Sequence, residues 1–314
     1  MSVEKNYVTL SGFALGTSFI ITYKDKDKRD FYDSITRIFD EFENSLSIYR
    51  ENSIISKVNR DEQVNLDEYF INMFDRARNI WEKTNGAFDI SASPIFEIWG
   101  WGAKEKVKVT QDTIDYLMQF VGMDKLHIKG QHMIKNHPNV TLNPNAIAKG
   151  YSSDIIARFL DRQGINNYMV YVGGEDVLKG VNKEGNPWRI GIEKPVDGNM
   201  VAGQYVQTIL SITDRAIATS GDYRRFYIED GKKYSHTIDP KTGYSARQNV
   251  LSATVIAEDC MTADALATAF MVMGVEETKE FLTKNPGIEV YLIYSEEGEL
   301  KEYFSKTMKG RVVK

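Results

Sequence analysis

Strand-like and helix-like stretches are interspersed along this chain, with several candidate hairpins, and this pattern most restricts its fold. It assigns the chain to the α+β class with mostly antiparallel sheet. Val8 to Tyr23 is rich in Thr, Phe and Ile and reads as paired strands turning near Ser11–Gly12. After a charged turn at Lys24–Asp30, apolar residues at Phe31, Ile35, Ile38, Phe39 and Phe42 keep a helical period. Asn44 to Arg60 reads as a polar loop. Ile71, Phe74, Ala77, Ile80 and Trp81 mark a second amphipathic helix, stopped by Asn85–Gly86. Lys104–Thr110 is a charged connection into a short helix around Ile114–Phe120, and Asn145–Leu160 reads as a further helix. The apolar run Tyr168–Val172 is a strand ending in the permissive turn Gly173–Gly174. Strands are expected at Trp188–Ile192, Gln204–Ile212, Arg225–Glu229 and Val250–Ala257. A strongly apolar helix, Asp264–Met273, ends at Gly274, and Val290–Tyr294 is a late strand.

The 314 residues suffice for one large domain or two closely packed ones, and residues 1–314 are read as a single domain. Hydrophobic residues make up 42% and charged residues 26%, which excludes disorder as the default. Lys plus Arg is 39 against 44 Asp plus Glu, a net charge of −5, and no basic run stands out, so no nucleic-acid partner is expected. The single cysteine, Cys260, rules out an intramolecular disulfide and a cysteine metal cluster. No stretch approaches the roughly 18 apolar residues needed to cross a bilayer. The opening Met1-Ser2-Val3-Glu4-Lys5 lacks the apolar core of a signal peptide. The chain is therefore expected to be either cytoplasmic or a trimmed, mature form.

The most informative stretch is Tyr234-Ser235-His236-Thr237-Ile238-Asp239-Pro240-Lys241-Thr242-Gly243. Asp-Pro-Lys-Thr-Gly is good turn chemistry by itself. His236, immediately before it and one of four histidines, can act as acid, base or electrostatic partner near neutrality. Asp264 and Thr268 are four residues apart and share a helix face. Their oxygens are hard ligands suited to Mg²⁺ beside a phosphate; taken alone, the pair is also what a helix cap and a small core residue look like. Asn143-Pro144-Asn145-Ala146-Ile147-Ala148-Lys149-Gly150 precedes a helix start, where free N–H groups favour anions. Ordinary capping with a surface lysine has the same appearance. Gly173-Gly174-Glu175 lets a backbone approach a ligand closely, and Trp99-Gly100-Trp101 suits either a flat ring or a buried core. P-loop, G-x-G-x-x-G, H-E-x-x-H and G-x-S-x-G patterns are absent.

Together these segments resemble the FAD:protein FMN transferase (ApbE) family over nearly the whole chain and in the family's order. Leu15-Gly16-Thr17 resembles its opening motif. Ser47-Ile48-Tyr49-Arg50 with Ser53, Ser56 and Asn59 is similar to its serine-rich loop, and Gly86-Ala87-Phe88-Asp89 to its G-A-F-D. Ala146 to Gly150, Gly173 to Glu175, Ala218 to Tyr223, His236 to Gly243 and Ala263 to Thr268 fit as well.

The resemblance implies two packed α+β parts, mostly antiparallel sheets with flanking helices, and an FAD cleft between them. It implies Mg²⁺ held by the Ala146 carbonyl, Asp264 and Thr268. FAD would contact Leu15, Tyr49, Ala87, Phe88, Asp89, Asn143, Lys149 and Ile238, and His236 and Asp264 would lie nearest the chemistry. The family usually carries Asp where this chain has Asn143, which keeps hydrogen-bonding capacity and drops the charge.

The expected reaction is Mg²⁺-dependent cleavage of FAD, with FMN joined to a Thr or Ser hydroxyl of an acceptor flavoprotein and AMP released. A quinone-reductase-type electron-transport subunit is the expected acceptor. The alternatives are FAD hydrolysis to FMN and AMP, and flavin binding without turnover. Resemblance also implies a periplasmic location or the outer face of the inner membrane, with a possible membrane tether in the full-length form.

Overall fold

The computed structural model describes residues 6–101, 109–196, 204–222, 226–229, 232–235, 237–246 and 249–313; 226–229 and 232–235 are described by backbone alone. Strands β1 (Tyr7–Ala14) and β2 (Thr17–Lys24) form the first hairpin. It turns at Leu15–Gly16, with φ of 50° and 71°, and not at Ser11–Gly12. Two consecutive positive φ values give the two-residue turn whose twist matches that of the strands. Gly12 instead lies mid-strand, where an added Cβ would come within 2.5 Å of the Phe19 ring.

Helix α1 (Tyr32–Leu46) buries Ile35, Phe39, Phe42 and Leu46, one face at helical spacing. The stretch read as a polar loop contains a short helix, α2 (Ile54–Asn59). Its N-cap Ser53 accepts from the Ser56 amide at 3.1 Å, and Ile55 and Val58 are buried. Helix α3 (Glu68–Lys83) starts at its cap Asp67 and stops before Asn85 and Gly86, at φ 49° and 80°. Helices α4 (Ser93–Ile98) and α5 (Gln111–Met118) and a small hairpin, β3 (Leu126–Lys129) with β4 (His132–Lys135), follow. The charged connection expected at Lys104–Thr110 lies mostly outside the described residues.

Helix α6 (Ala148–Arg162) begins later than Asn145, because the Pro144 carbonyl first accepts the Ile147 and Ala148 amides in a turn, each at 2.9 Å. Then come β5 (Tyr168–Val172), β6 (Glu175–Lys179), β7 (Trp188–Glu193), β8 (Val206–Ile212), β9 (Arg215–Gly221), β10 (Phe226–Glu229), β11 (Lys232–Ser235) and β12 (Val250–Ala257). Helix α7 (Cys260–Lys284) starts at its cap Asp259, whose side chain accepts the Thr262 amide at 2.8 Å. Asp264 is therefore an interior residue, not the cap. Gly274, at φ 78° and ψ −176°, breaks the helical geometry without ending the element, because a second helical stretch continues to Lys284. Strands β13 (Glu289–Glu296) and β14 (Glu299–Phe304), helix α8 (Lys306–Lys309) and β15 (Val312–Val313) complete the chain.

The fold is α+β. Its large sheet has eight strands in the order β1-β2-β5-β6-β9-β12-β13-β14, antiparallel throughout. A three-stranded sheet, β15-β8-β7, packs beside it. Successive residues of β12 point to opposite sides of the sheet. Val255 joins the core made with α1, α3 and α7, where Phe42, Phe70 and Phe270 lie, whereas Ile256 joins the core shared with Trp188, Leu210 and Ile212 of the smaller sheet. The result is helices, large sheet and small sheet in three layers.

Candidate functional site

A cleft of about 1220 Å³ opens where these layers meet. Leu15 enters it from the β1–β2 turn, Tyr49 from the α1–α2 connection, and Ala87, Phe88 and Asp89 from the segment after α3. Asn143, Ala146 and Lys149 come from the approach to α6 and its first turn. Ile238 comes from the loop before β12, and Asp264 and Thr268 from α7. All eleven line the one cleft. His236 lies outside the described residues; the next residue, Thr237, also lines the cleft.

Several of these positions are fixed by main-chain geometry. The Leu15 amide donates to Glu43 Oε1 at 3.0 Å, and Arg50 pairs with both Glu43 and Asp40 (2.7 Å to Asp40 Oδ1), tying the hairpin turn to α1. Tyr49 is 64% exposed and its hydroxyl accepts from Asn145 Nδ2 at 3.1 Å. Asp89 caps a short 3-10 turn, accepting from the Ser91 amide at 2.7 Å and the Ser91 hydroxyl at 2.5 Å. Burial pushes the Asp89 carboxyl up to about 6, against those hydrogen bonds. Asn143 donates its amide to the Ile90 carbonyl at 2.8 Å and accepts the Asn145 amide on Oδ1 at 3.0 Å. Asn59 brackets Leu142 with two hydrogen bonds of 2.7 and 2.9 Å.

The charged centre lies where α6 meets α7. Asp264 Oδ2 accepts the Gly150 amide at 2.9 Å. In a regular helix that amide would bond to the Ala146 carbonyl; here it does not, and Ala146 O receives no amide among the described residues. Gly150 is required by packing, because an added Cβ would collide with the Cys260 carbonyl and sit 2.7 Å from Asp264 Cβ. Lys149 Nζ lies 2.6 Å from Glu175 Oε1 and 4.0 Å from Asp264 Oδ1. Burial opposes the lysine's charge, but the two carboxylates outweigh it and hold its pKa above the usual lysine value. Burial pushes Glu175 up to about 8, with Lys149 opposing, and Glu175 Oε2 has no partner among the described residues. Thr268 Oγ1 shares a hydrogen bond of 3.1 Å with Ser220 Oγ at the end of β9.

The donor chemistry here fits Mg²⁺. One carboxylate, one hydroxyl and an amide-free carbonyl are hard oxygen ligands, and Mg²⁺ is usually held by one or two carboxylates together with substrate phosphates. Among the described residues no group of three or more His, Cys, Asp or Glu could hold a metal by itself. Sequence reasoning gave no role to Glu175, although a carboxylate directly after Gly173–Gly174 was its signal. It also missed Glu43, whose only signal is its spacing on α1.

An antiparallel sheet flanked by helices, with a lysine–carboxylate centre lining the cleft where they meet, is the arrangement of a ligand-binding α+β fold. The ApbE family profile matches residues 15–292, and the chain belongs to that family. A curated FAD:protein FMN transferase from Vibrio cholerae serotype O1 is 38% identical over 311 residues, 96% of this chain and 92% of that one. Its counterpart from Escherichia coli K12 is 32% identical, covering 97% and 89%. The solved flavin transferase ApbE from Vibrio cholerae superposes with a TM-score of 0.88 at 37% identity, covering 97% of this chain and 99% of its own. The ApbE protein of Thermotoga maritima superposes at 0.85 and 29% identity, covering 98% and 100%.

Proposed function

We propose that this chain is a Mg²⁺-dependent transferase that cleaves FAD, joins FMN through a phosphoester to a Thr or Ser hydroxyl of an acceptor flavoprotein, and releases AMP. The observation carrying this reading is that the described residues expected to touch FAD or metal border one cleft around Lys149, Glu175 and Asp264. Relatives named FAD:protein FMN transferase over nearly the full chain support it.

Bound Mg²⁺ would neutralise charge on the pyrophosphate, the main demand in phosphoryl transfer. Asp264, Thr268 and the Ala146 carbonyl are the groups that would hold it. Lys149 adds fixed positive charge beside the phosphates. The acceptor hydroxyl oxygen bonds to the FMN-side phosphorus, the bond to the AMP phosphate breaks, and the hydroxyl proton passes to His236 or Asp264. The acceptor is a subunit of a quinone-reductase-type complex, and the chain works in the periplasm or at the outer face of the inner membrane, held there by a membrane tether. No helix among the described residues is long and apolar enough to cross a membrane.

Purified protein incubated with FAD and Mg²⁺, with and without an acceptor domain, tests this. Covalent flavin fluorescence on the acceptor is the expected result. AMP formed without labelling means hydrolysis, and no turnover at all means a flavin binder. His236→Ala is expected to lower turnover by roughly two to four orders of magnitude with little change in FAD affinity. A large loss of affinity with unchanged saturated turnover would make His236 a binding residue instead.

A further inference from the structure

Helix α7 starts against α6, and its first turn is held by two carboxylates of different origin. Asp259, its own cap, accepts the Thr262 amide at 2.8 Å. The two amides before that one go to Asp154 of α6: Oδ1 accepts from Cys260 at 2.8 Å and Oδ2 from Met261 at 2.9 Å. The first amides of a helix have no carbonyl within it to bond, and at a surface water can take them. Here one side chain takes both; it is 5% exposed and belongs to another helix.

The contact is returned one turn along each helix. Asp264 Oδ2 accepts the Gly150 amide; Gly150 precedes Asp154 by one turn of α6, as Cys260 precedes Asp264 on α7. Each helix thus holds main-chain amides of the other through a buried aspartate. Little slack is left between them, since a Cβ on Gly150 would lie 2.3 Å from the Cys260 carbonyl oxygen. Helix α6 is in turn tied to the large sheet, where Ser153 Oγ donates to the Glu175 carbonyl at 3.0 Å. The groups proposed to hold Mg²⁺ are divided between the same two segments. The Ala146 carbonyl leads into α6, whereas Asp264 and Thr268 belong to α7. Their spacing depends on the register of α7 on α6, and Mg²⁺ demands near-ideal octahedral geometry at about 2.0–2.1 Å.

We infer that Asp154 is a positioning residue for the metal site: by holding the Cys260 and Met261 amides it sets the register of α7 on α6, and with it the distance from Asp264 and Thr268 to the Ala146 carbonyl. The inference rests on the Mg²⁺ reading above. Asp154 does not border the cleft, so it acts through the α7 backbone and not by touching FAD or metal. Its grip on two successive amides fixes both the height and the rotation of α7, which a single hydrogen bond would leave free. Partners that orient metal ligands from outside typically matter to metal affinity by about ten- to a hundredfold.

The test titrates Mg²⁺, and separately Ca²⁺, into the full chain with FAD bound, read by calorimetry. In Asp154→Asn one oxygen becomes an NH₂ group that cannot accept an amide. Mg²⁺ affinity is expected to fall roughly ten- to a hundredfold, with FAD affinity in the absence of metal unchanged. Ca²⁺ affinity should fall much less, because Ca²⁺ accepts flexible geometry at about 2.3–2.6 Å. Asp154→Ser keeps one acceptor, too short to hold both amides, and is expected to act alike; it serves where the Asn variant does not fold. Asp259→Ala is the control for a lost helix cap: it removes the bond to the Thr262 amide, leaves Asp154 in place and is expected to keep Mg²⁺ affinity. Unchanged Mg²⁺ affinity in a folded Asp154 variant overturns the inference. Equal falls for Mg²⁺ and Ca²⁺, or equal falls in Asp154→Asn and Asp259→Ala, overturn it as well, because general loosening of α7 would then account for the loss. An unmodified chain that binds FAD but no Mg²⁺ removes the metal reading, and the positioning role falls with it.

Discussion

Asp264 divides its two oxygens between two tasks. One accepts the Gly150 amide and locks α6 to α7; the other faces Lys149 at 4.0 Å and stays open to a cation. Asp264→Ala is expected to abolish turnover while the protein stays folded, and wild-type activity at limiting Mg²⁺ would make the metal assignment wrong. Asn143 is the departure from the family's usual Asp. Its Oδ1 accepts the Asn145 amide, and an aspartate can do the same, so Asn143→Asp keeps the turn and adds charge. A hydrogen bond to a charged group contributes about 1.5–3 kcal/mol against about 1 for a neutral one. FAD binding measured by calorimetry with Mg²⁺ should then tighten several-fold; unchanged or weaker binding would show that the amide is no handicap. Asp176 gives a pH signature. Burial raises its carboxyl from 3.8 to about 7, so the folded state keeps a proton that the unfolded chain releases. Its contribution is therefore full below 3.8 and is lost as pH rises towards 7. Asp154 and Glu175, raised to about 7 and about 8, slope the same way. In Asp176→Asn, denaturant titrations across that range should show a shallower fall in stability than in the unmodified chain, and parallel curves would sink the assignment.

At the scale of elements, the sites of close approach are the sensitive ones. Gly150→Ala would push a methyl into the Cys260 carbonyl and Asp264 Cβ. A loss of about 1–3 kcal/mol is expected, as for other overpacked sites, together with lower activity because Asp264 must move. Unaltered denaturant midpoint and turnover would contradict the tight contact of α6 with α7.

The same packing explains what the sequence could convey. Helices α1 and α3 were legible because each buries a single face at a regular period. Strand β9 was not, since Ala216 and Ala218 are small and fully buried with α7 packed against the strand, leaving no large alternating residues to mark it. Strand β6 was hidden by Glu175 and Asp176, two buried acids at its start. The first hairpin was misplaced because its turn puts Leu15, not a glycine or asparagine, at positive φ, whereas Ser11–Gly12 looks like a turn and lies inside a strand. Helix α2 is too short to display a period. At the site, Leu15, Phe88, Lys149 and Asp264 were readable as parts of motifs, but their convergence was not, because it depends on how distant elements pack.

Across the whole molecule, the cleft gathers residues from Leu15 to Thr268 and lies where all three layers meet, so ligand binding should be felt globally. Ligand at a hundredfold excess over its Kd adds about 2.7 kcal/mol to the folded state. FAD with Mg²⁺ should raise Tm more than FAD alone, and the Mg²⁺ increment should vanish in Asp264→Ala. An equal rise in both would separate metal binding from Asp264.

Transfer of FMN from AMP to a protein hydroxyl is read by intact-mass spectrometry of an acceptor domain after incubation with the chain, FAD and Mg²⁺. The expected result is a mass increase equal to one covalent FMN on a threonine or serine, matched by one AMP released per acceptor labelled. AMP released while the acceptor mass stays unchanged would contradict it.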